Sequence, residues 1–207
     1  MRQSTNRSRA GGFINIPIPS VGQVAIEDVA HRLSNICRFN GAVREFFSVA
    51  QHSVEVSMLC WKEAKRFGLK QAEAGLCGLL HDAKEAFIGD VISPLKWELG
   101  EPFEMLDKRA TAITDLAFNV VDMMERTKEC WHWADYEMLL SDAARWDVFG
   151  DYASRDGTKC TTISQHNRLP PPHVVYFPEA IAHRPEYARR MFLDTYKNLK
   201  ETLAESA

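Results

Sequence analysis

The 207-residue sequence predicts an all-α protein, a single helical bundle of about six main helices. Three observations carry that reading. Apolar residues recur at three- and four-residue steps in one segment after another, which places them on single helical faces. No stretch sustains the period-two alternation of a strand. The length suits one sizeable domain and is short for two, and 45% hydrophobic with 26% charged residues is ordinary for a globular chain.

The elements follow in order. Residues 1–12 are basic and polar with no apolar core behind them, so they are expected to form a disordered end ahead of a domain at 13–207. Pro17, Pro19, Ser20 and Gly22 make residues 13–24 an extended, turning arm. Asp28, with Val29, Ala30, Leu33, Ile36 and Cys37 in register, opens a first helix that Asn40-Gly41 ends. Ser48 starts a second, in which Val49, His52, Ser53, Val56, Leu59 and Cys60 share one face and which Gly68 stops. Gln71 to about Phe87 reads as a third, with Ala74, Cys77, Gly78 and His81 in line and small enough for a neighbouring helix to approach closely. Ser93-Pro94 breaks the chain. A long helix is expected from about Pro102 to Glu125, another from Trp133 to Phe149, and a last one over Pro185–Glu201. Residues 150–179, with Gly157 and Pro170-Pro171-Pro172, read as loop.

The formal net charge is −3, so no global basic field would hold nucleic acid or an anionic membrane. No apolar run approaches the length of a membrane span. Cys37, Cys60, Cys77, Cys130 and Cys160 are scattered and odd in number, which suggests reduced thiols and a cytoplasmic location. A local Lys/Arg cluster would still admit a small anionic substrate.

The most informative pair is His81-Asp82, at the end of the apolar run that closes the third helix. His52 lies on the inward face of the preceding helix, and Asp135, within Trp-His-Trp-Ala-Asp-Tyr, is expected near the start of a later one. Two imidazoles and two carboxylates suit a divalent Zn, Mn, Fe or Co ion with positions left for water and substrate. Each has a plainer reading: a core histidine hydrogen-bonded in place, or a helix-capping aspartate. Together they favour a metal, since three inward polar groups would otherwise each need a separate partner. Glu85, four residues after His81, shares its helical face and can orient water or take its proton. Asp90 follows Gly89 in a turn and can join that cluster. Cys60 and Arg66 match a Cys-x5-Arg spacing, but the residues between them form a helical run with no glycine to cradle phosphate.

His52, His81-Asp82 and Asp135 resemble the H…HD…D signature of the HD-domain metal-dependent phosphohydrolases. The strings Ile26–Ser34, Ile36–Phe39, Phe47–Ser53, Leu79–Ala83, Gly89–Val91 and Pro94–Lys96 are similar to one subgroup. That subgroup holds small bacterial and phage enzymes akin to 5′-deoxynucleotidases and to the dATP triphosphohydrolases of phages that use 2-aminoadenine. The resemblance runs from about residue 14 to 149. It implies an all-helical core and a divalent metal (Zn, Co, Mn or Mg) on His52, His81, Asp82 and Asp135. It further implies Glu85 and Asp90 beside the attacking water, Arg38 and Lys96 on substrate phosphates, and Phe39 where a ring could stack on a base. The substrate it implies is a small deoxynucleotide, dATP first, hydrolysed to deoxyadenosine and tripolyphosphate. A 5′-deoxynucleotidase acting on monophosphates and a catalytically weak nucleotide-sensing module are the alternatives. Homo-oligomers are expected on the same ground, and Trp131 and Trp133 suit either an interface or the core. The sequence departs from the pattern at Lys84, where the family usually has a small residue, and a regular helix would point Lys84 off the metal face.

Overall fold

The computed structural model describes residues 4–8, 13–16, 18–146, 152–153, 159–160, 176–177 and 179–206. Helix α1 (Ile26–Asn35) carries Glu27 and Asp28 in its first turn, where acidic groups meet the positive end of the helix dipole. Helix α2 (Val49–Glu63) is capped by Ser48, whose Oγ accepts from the Gln51 backbone N–H at 3.2 Å. Such a cap stabilises a helix by about 1 kcal/mol. The 3-10 turn Ala64–Phe67 closes α2, and Gly68 at φ 70° turns the chain away. Residues 49–57 of α2 are buried on every side, so α2 is the central rod of the bundle.

Helix α3 (Gln71–Leu80) lies against α2. Their contact is close because Gly78 presents no side chain: a Cβ there would stand 2.7 Å from Cys60 Sγ and 3.2 Å from the Ser57 Cα. The third helix does not run unbroken to Phe87. It stops at Leu80, the chain tightens through bonds such as Ala83 N–H to Leu80 O (2.9 Å) and Glu85 N–H to Asp82 O (2.9 Å), and α4 (Glu85–Ile88) resumes. These are three-residue steps of the 3-10 kind, which rotate side chains differently from a regular α-helix. His81 and Asp82 sit at that tightening.

Ser93-Pro94 opens a helix rather than breaking one. Pro94 occupies the first turn of α5 (Ser93–Leu99), where a missing N–H costs nothing. The expected long helix is two: α6 (Glu101–Phe118) ends at Asn119 in the left-handed region, φ 54°, and α7 (Val121–Arg126) follows. Asparagine tolerates that conformation and so ends helices. Helix α8 runs Lys128–Arg145, starting five residues earlier than expected, and α9 is Pro185–Glu205, packed on α1, α2 and α3.

The fold is thus an all-helical bundle, with more helical segments than the six expected. Short ribbons accompany it. Strand β1 (Ser4–Arg7), within the end expected to be disordered, pairs antiparallel with β2 (Phe13–Ile16), and β3 (Tyr152–Ala153) pairs with β4 (Lys159–Cys160). Ser8 Oγ donates to Asp28 Oδ2, tying the segment after β1 to α1. The triple proline lies outside the described residues. Trp131 and Trp133 serve the core: Trp131 Nε1 donates to the Met124 carbonyl at 3.1 Å, and Trp133 packs at 5.7 Å on Phe67. Among the described residues, no helix is long and apolar enough to cross a membrane.

Candidate metal centre

Three elements converge beneath one pocket. Helix α2 supplies His52, the tightened segment after α3 supplies His81 and Asp82, and α8 supplies Asp135. The ligand atoms of His52, His81 and Asp135 lie within 4.8 Å of one another, a group that could hold a metal ion. Asp82 falls just outside that tight trio, with Oδ2 3.1 Å from His81 Nε2. Asp135 sits in the second turn of α8, not at its cap, because α8 begins at Lys128.

The two imidazoles are held in the same sense. His81 Nδ1–H donates to the Gly78 carbonyl at 2.8 Å. A carbonyl only accepts, so the proton belongs on Nδ1 and the Nε2 lone pair is left facing inward. His52 Nδ1–H donates to Asp142 Oδ2 at 2.7 Å, which likewise leaves its Nε2, 3.0 Å from Asp135 Oδ1. His81 Nε2 is buried and has no hydrogen bond, although Asp135 Oδ1 lies 3.5 Å away. Two oriented Nε2 atoms and a carboxylate, one of the nitrogens buried and unsatisfied, are what a divalent cation requires. The donor set fits such an ion.

The electrostatics agree. Burial opposes charge on His81, but Asp82 and Asp135 outweigh it and lift its pKa to about 10. Burial likewise works against the charge on Asp135, yet the bond to His52 and the nearness of His81 hold it well below the usual carboxylate range. A field that grips a proton at Nε2 also grips a cation, and metal binding there must displace that proton.

The pocket above has a cavity of about 250 Å³. Arg38, Asp82, Glu85, Asp90, Lys96 and Asp135 supply its charged lining, and Phe39, Val91, Ile92, Trp97 and Leu139 its apolar wall. Every residue predicted to act on substrate or water therefore reaches this one pocket. Arg38 is buried, delivered by the turn Arg38–Gly41 in which Phe39 and Asn40 take positive φ of 55° and 52°. Its guanidinium lies 3.7 Å from Asp82 and 3.6 Å from Asp142. Glu85 is buried with Oε2 unbonded, and burial, followed by the charges of Asp82 and Asp90, pushes its pKa well up. Burial raises Asp90 as well, against the pull of Arg38. Phe39 is buried under Arg38, whose Cζ stands 5.4 Å from its ring centre.

Lys84 turns away as expected. Its Nζ pairs with Asp107 Oδ2 of α6 at 3.1 Å. Cys60 is buried in the α2–α3 contact, and Arg66 stacks over Trp133 at 5.0 Å, so the Cys-x5-Arg spacing makes no phosphate cradle. Sequence reasoning missed Asp142, Arg145 and Glu55, a buried network behind His52. Arg145 Nη2 donates to both Glu55 Oε2 and Asp142 Oδ1. A signal was present: Asp142 follows Asp135 by seven residues, two turns along one helical face, and Glu55 follows His52 by three.

No family model matches the chain. It is 34% identical over 122 residues to an uncharacterized protein of Rhodobacter capsulatus, a stretch that covers 58% of this chain and 61% of that relative's length. It is 28% identical over 186 residues to the uncharacterized protein YfdR of Escherichia coli, covering 86% of this chain and 85% of the relative. Neither name carries an activity.

Proposed function

We propose that this protein is a metal-dependent phosphohydrolase acting on 2′-deoxynucleoside 5′-phosphates, of the kind the HD-domain resemblance implies. The observation that carries the reading is a pocket lined by Asp135, a buried arginine and a half-buried lysine, with the Nε2 atoms of His52 and His81 beside Asp135 beneath it. Four carboxylates (Asp82, Glu85, Asp90, Asp135) face two cations there, Arg38 and Lys96. Without a bound cation that balance would repel phosphate, and one divalent ion offsets the surplus.

His52, His81, Asp82 and Asp135 would hold the ion, which supplies Lewis acidity toward water and a phosphoryl oxygen. The chain's own residues do the rest. Arg38 offers a planar fork to phosphate oxygens, and Lys96 a point charge. Their charges offset the negative charge that grows on those oxygens as the phosphorus is attacked. Glu85, its pKa pushed well up by burial and by the charges of Asp82 and Asp90, suits acceptance of the water proton. Asp90 flanks it across the same pocket. The water oxygen bonds to the phosphorus nearest the sugar, the bond from that phosphorus to O5′ breaks, and O5′ leaves as the hydroxyl with a proton from solvent, balanced by release of the water proton that Glu85 accepted. Phe39, Trp97 and Leu139 form the apolar wall on which a base would rest.

The resemblance to the phage enzymes makes dATP the first substrate. The test is a panel of dNTPs, dNDPs, dNMPs and ribonucleotides with Mn, Co, Zn or Mg, with tripolyphosphate, pyrophosphate and phosphate resolved. Tripolyphosphate from dATP alone is the expected result. Phosphate from every dNMP would reassign the protein as a 5′-deoxynucleotidase, and no hydrolysis with any metal would leave a nucleotide-sensing module.

A further inference from the structure

We propose that Asp142 is a positioning residue that fixes both His52 and Arg38, and so couples the metal centre to the phosphate-gripping end of the pocket. The arginine half of this rests on the phosphohydrolase reading; the histidine half does not.

Asp142 is fully buried in α8, two turns beyond Asp135. Its Oδ2 accepts from His52 Nδ1–H at 2.7 Å and faces Arg38 Nε at 3.6 Å. Its Oδ1 accepts from Arg145, which Glu55 holds from the other side. One carboxylate thus meets three cationic or donor groups arriving from three directions.

A purely structural role explains this poorly. A buried ion network is replaceable by apolar side chains with little loss of stability, so packing alone does not call for a carboxylate there. An apolar side chain cannot set the His52 tautomer. With its proton bound at Asp142, His52 turns Nε2 toward Asp135; without that acceptor, either nitrogen can carry the proton and the ring can rotate. The Arg38 geometry is equally telling. Its Nε is buried without a hydrogen bond, while Asp142 and Asp82 bracket the guanidinium at 3.6 and 3.7 Å. The two carboxylates hold the charge in place yet lie beyond hydrogen-bonding distance, so neither saturates the guanidinium that lines the pocket.

The test uses full-length protein and readouts other than turnover. Mn²⁺ binding is titrated by calorimetry in wild type, Asp142→Asn and Glu55→Gln, followed by binding of inorganic tripolyphosphate at saturating Mn²⁺. Asparagine can still accept from His52 with its oxygen in the Oδ2 place, but its NH2 group then stands in the Oδ1 place against the Arg145 guanidinium, and no negative charge is left to face Arg38. Asp142→Asn is therefore expected to weaken Mn²⁺ binding by about 10- to 100-fold and tripolyphosphate binding as well. Glu55→Gln, which touches neither His52 nor Arg38, is expected to bind both at wild-type values. Mn²⁺ affinity unchanged in folded Asp142→Asn, or lowered equally in Glu55→Gln, would overturn the proposal. Should Asp142→Asn not fold, the Zn²⁺-loaded wild type decides the matter by ¹H–¹⁵N spectroscopy of the histidine rings. The proposal requires the His52 proton on Nδ1, and a proton on Nε2 overturns it. Normal metal effects in a protein that hydrolyses no nucleotide would refute the proposed activity and leave the role of Asp142 toward His52 standing.

Discussion

Replacing Gly78 with alanine is expected to destabilise the protein, the reverse of what the same change does on an open helix face. In an exposed helix interior, alanine is favoured over glycine by about 1 kcal/mol. Gly78 lies in the last turn of α3, where an added Cβ would meet Cys60 Sγ at 2.7 Å, Cys60 Cβ at 3.1 Å and the Ser57 Cα at 3.2 Å. The thiol can shift, but the last two contacts belong to the α2 backbone and its root, so the helices themselves must part. Overpacking of that kind costs about 1–3 kcal/mol, which leaves a net loss of roughly 0–2 kcal/mol once the propensity gain is set against it. For a chain of this size each kcal/mol lowers Tm by about 2–4 °C. The parting also moves the site, because Gly78 O anchors His81 Nδ1 and the His52 and His81 ring centres lie only 5.5 Å apart across the two helices. Thermal unfolding of Gly78→Ala, Cys60→Ala and the double variant tests this. The double variant should recover part of the loss, since it removes the nearest clash and keeps the other two. A Gly78→Ala protein more stable than wild type, with unchanged metal affinity, would refute the close-approach argument.

Two further outcomes follow from burial and charge. Glu85→Gln should bind Mn²⁺ normally yet lose about 10²- to 10⁴-fold in kcat, as removal of a proton acceptor does; weakened metal binding with kcat intact would instead make Glu85 a ligand. Asp115, half-buried on α6, is raised by burial from 3.8 to about 6, Lys84 pulling the other way. The folded state therefore binds that proton more tightly than the unfolded chain, so its contribution is present below pH 4 and lost as pH rises through 6. Asp115→Asn keeps the uncharged form throughout, so its Tm should exceed that of wild type by about 2 °C at pH 7.5, a modest gain because water screens the group, and match it at pH 4.

What the sequence disclosed was set by local chemistry. The start of α2 was legible because Ser48 caps it by its own side chain, and His52 because the apolar positions around it fix one face. The tightening at His81 was not, since it accompanies a bond between an imidazole and the Gly78 carbonyl that periodicity cannot register. Asp135 was found by its residue type but misplaced within its helix: the aromatic cluster at 131–133 resembles a boundary, whereas those rings pack inside α8's own interface with the core. Asp142 went unseen because an acidic residue near a helix end reads as solvated, and only the tertiary approach of His52, Arg38 and Arg145 gives it partners.

The claim at the centre of this account is that His52, His81, Asp82 and Asp135 hold one functional metal ion. Bound Mn²⁺ and dATP hydrolysis measured together in wild type, His81→Ala and Asp82→Ala test it most directly. The account predicts stoichiometric metal and tripolyphosphate release in the wild type, with metal lost in His81→Ala and hydrolysis lost in both variants. Undiminished hydrolysis in a metal-free, folded His81→Ala protein would contradict it.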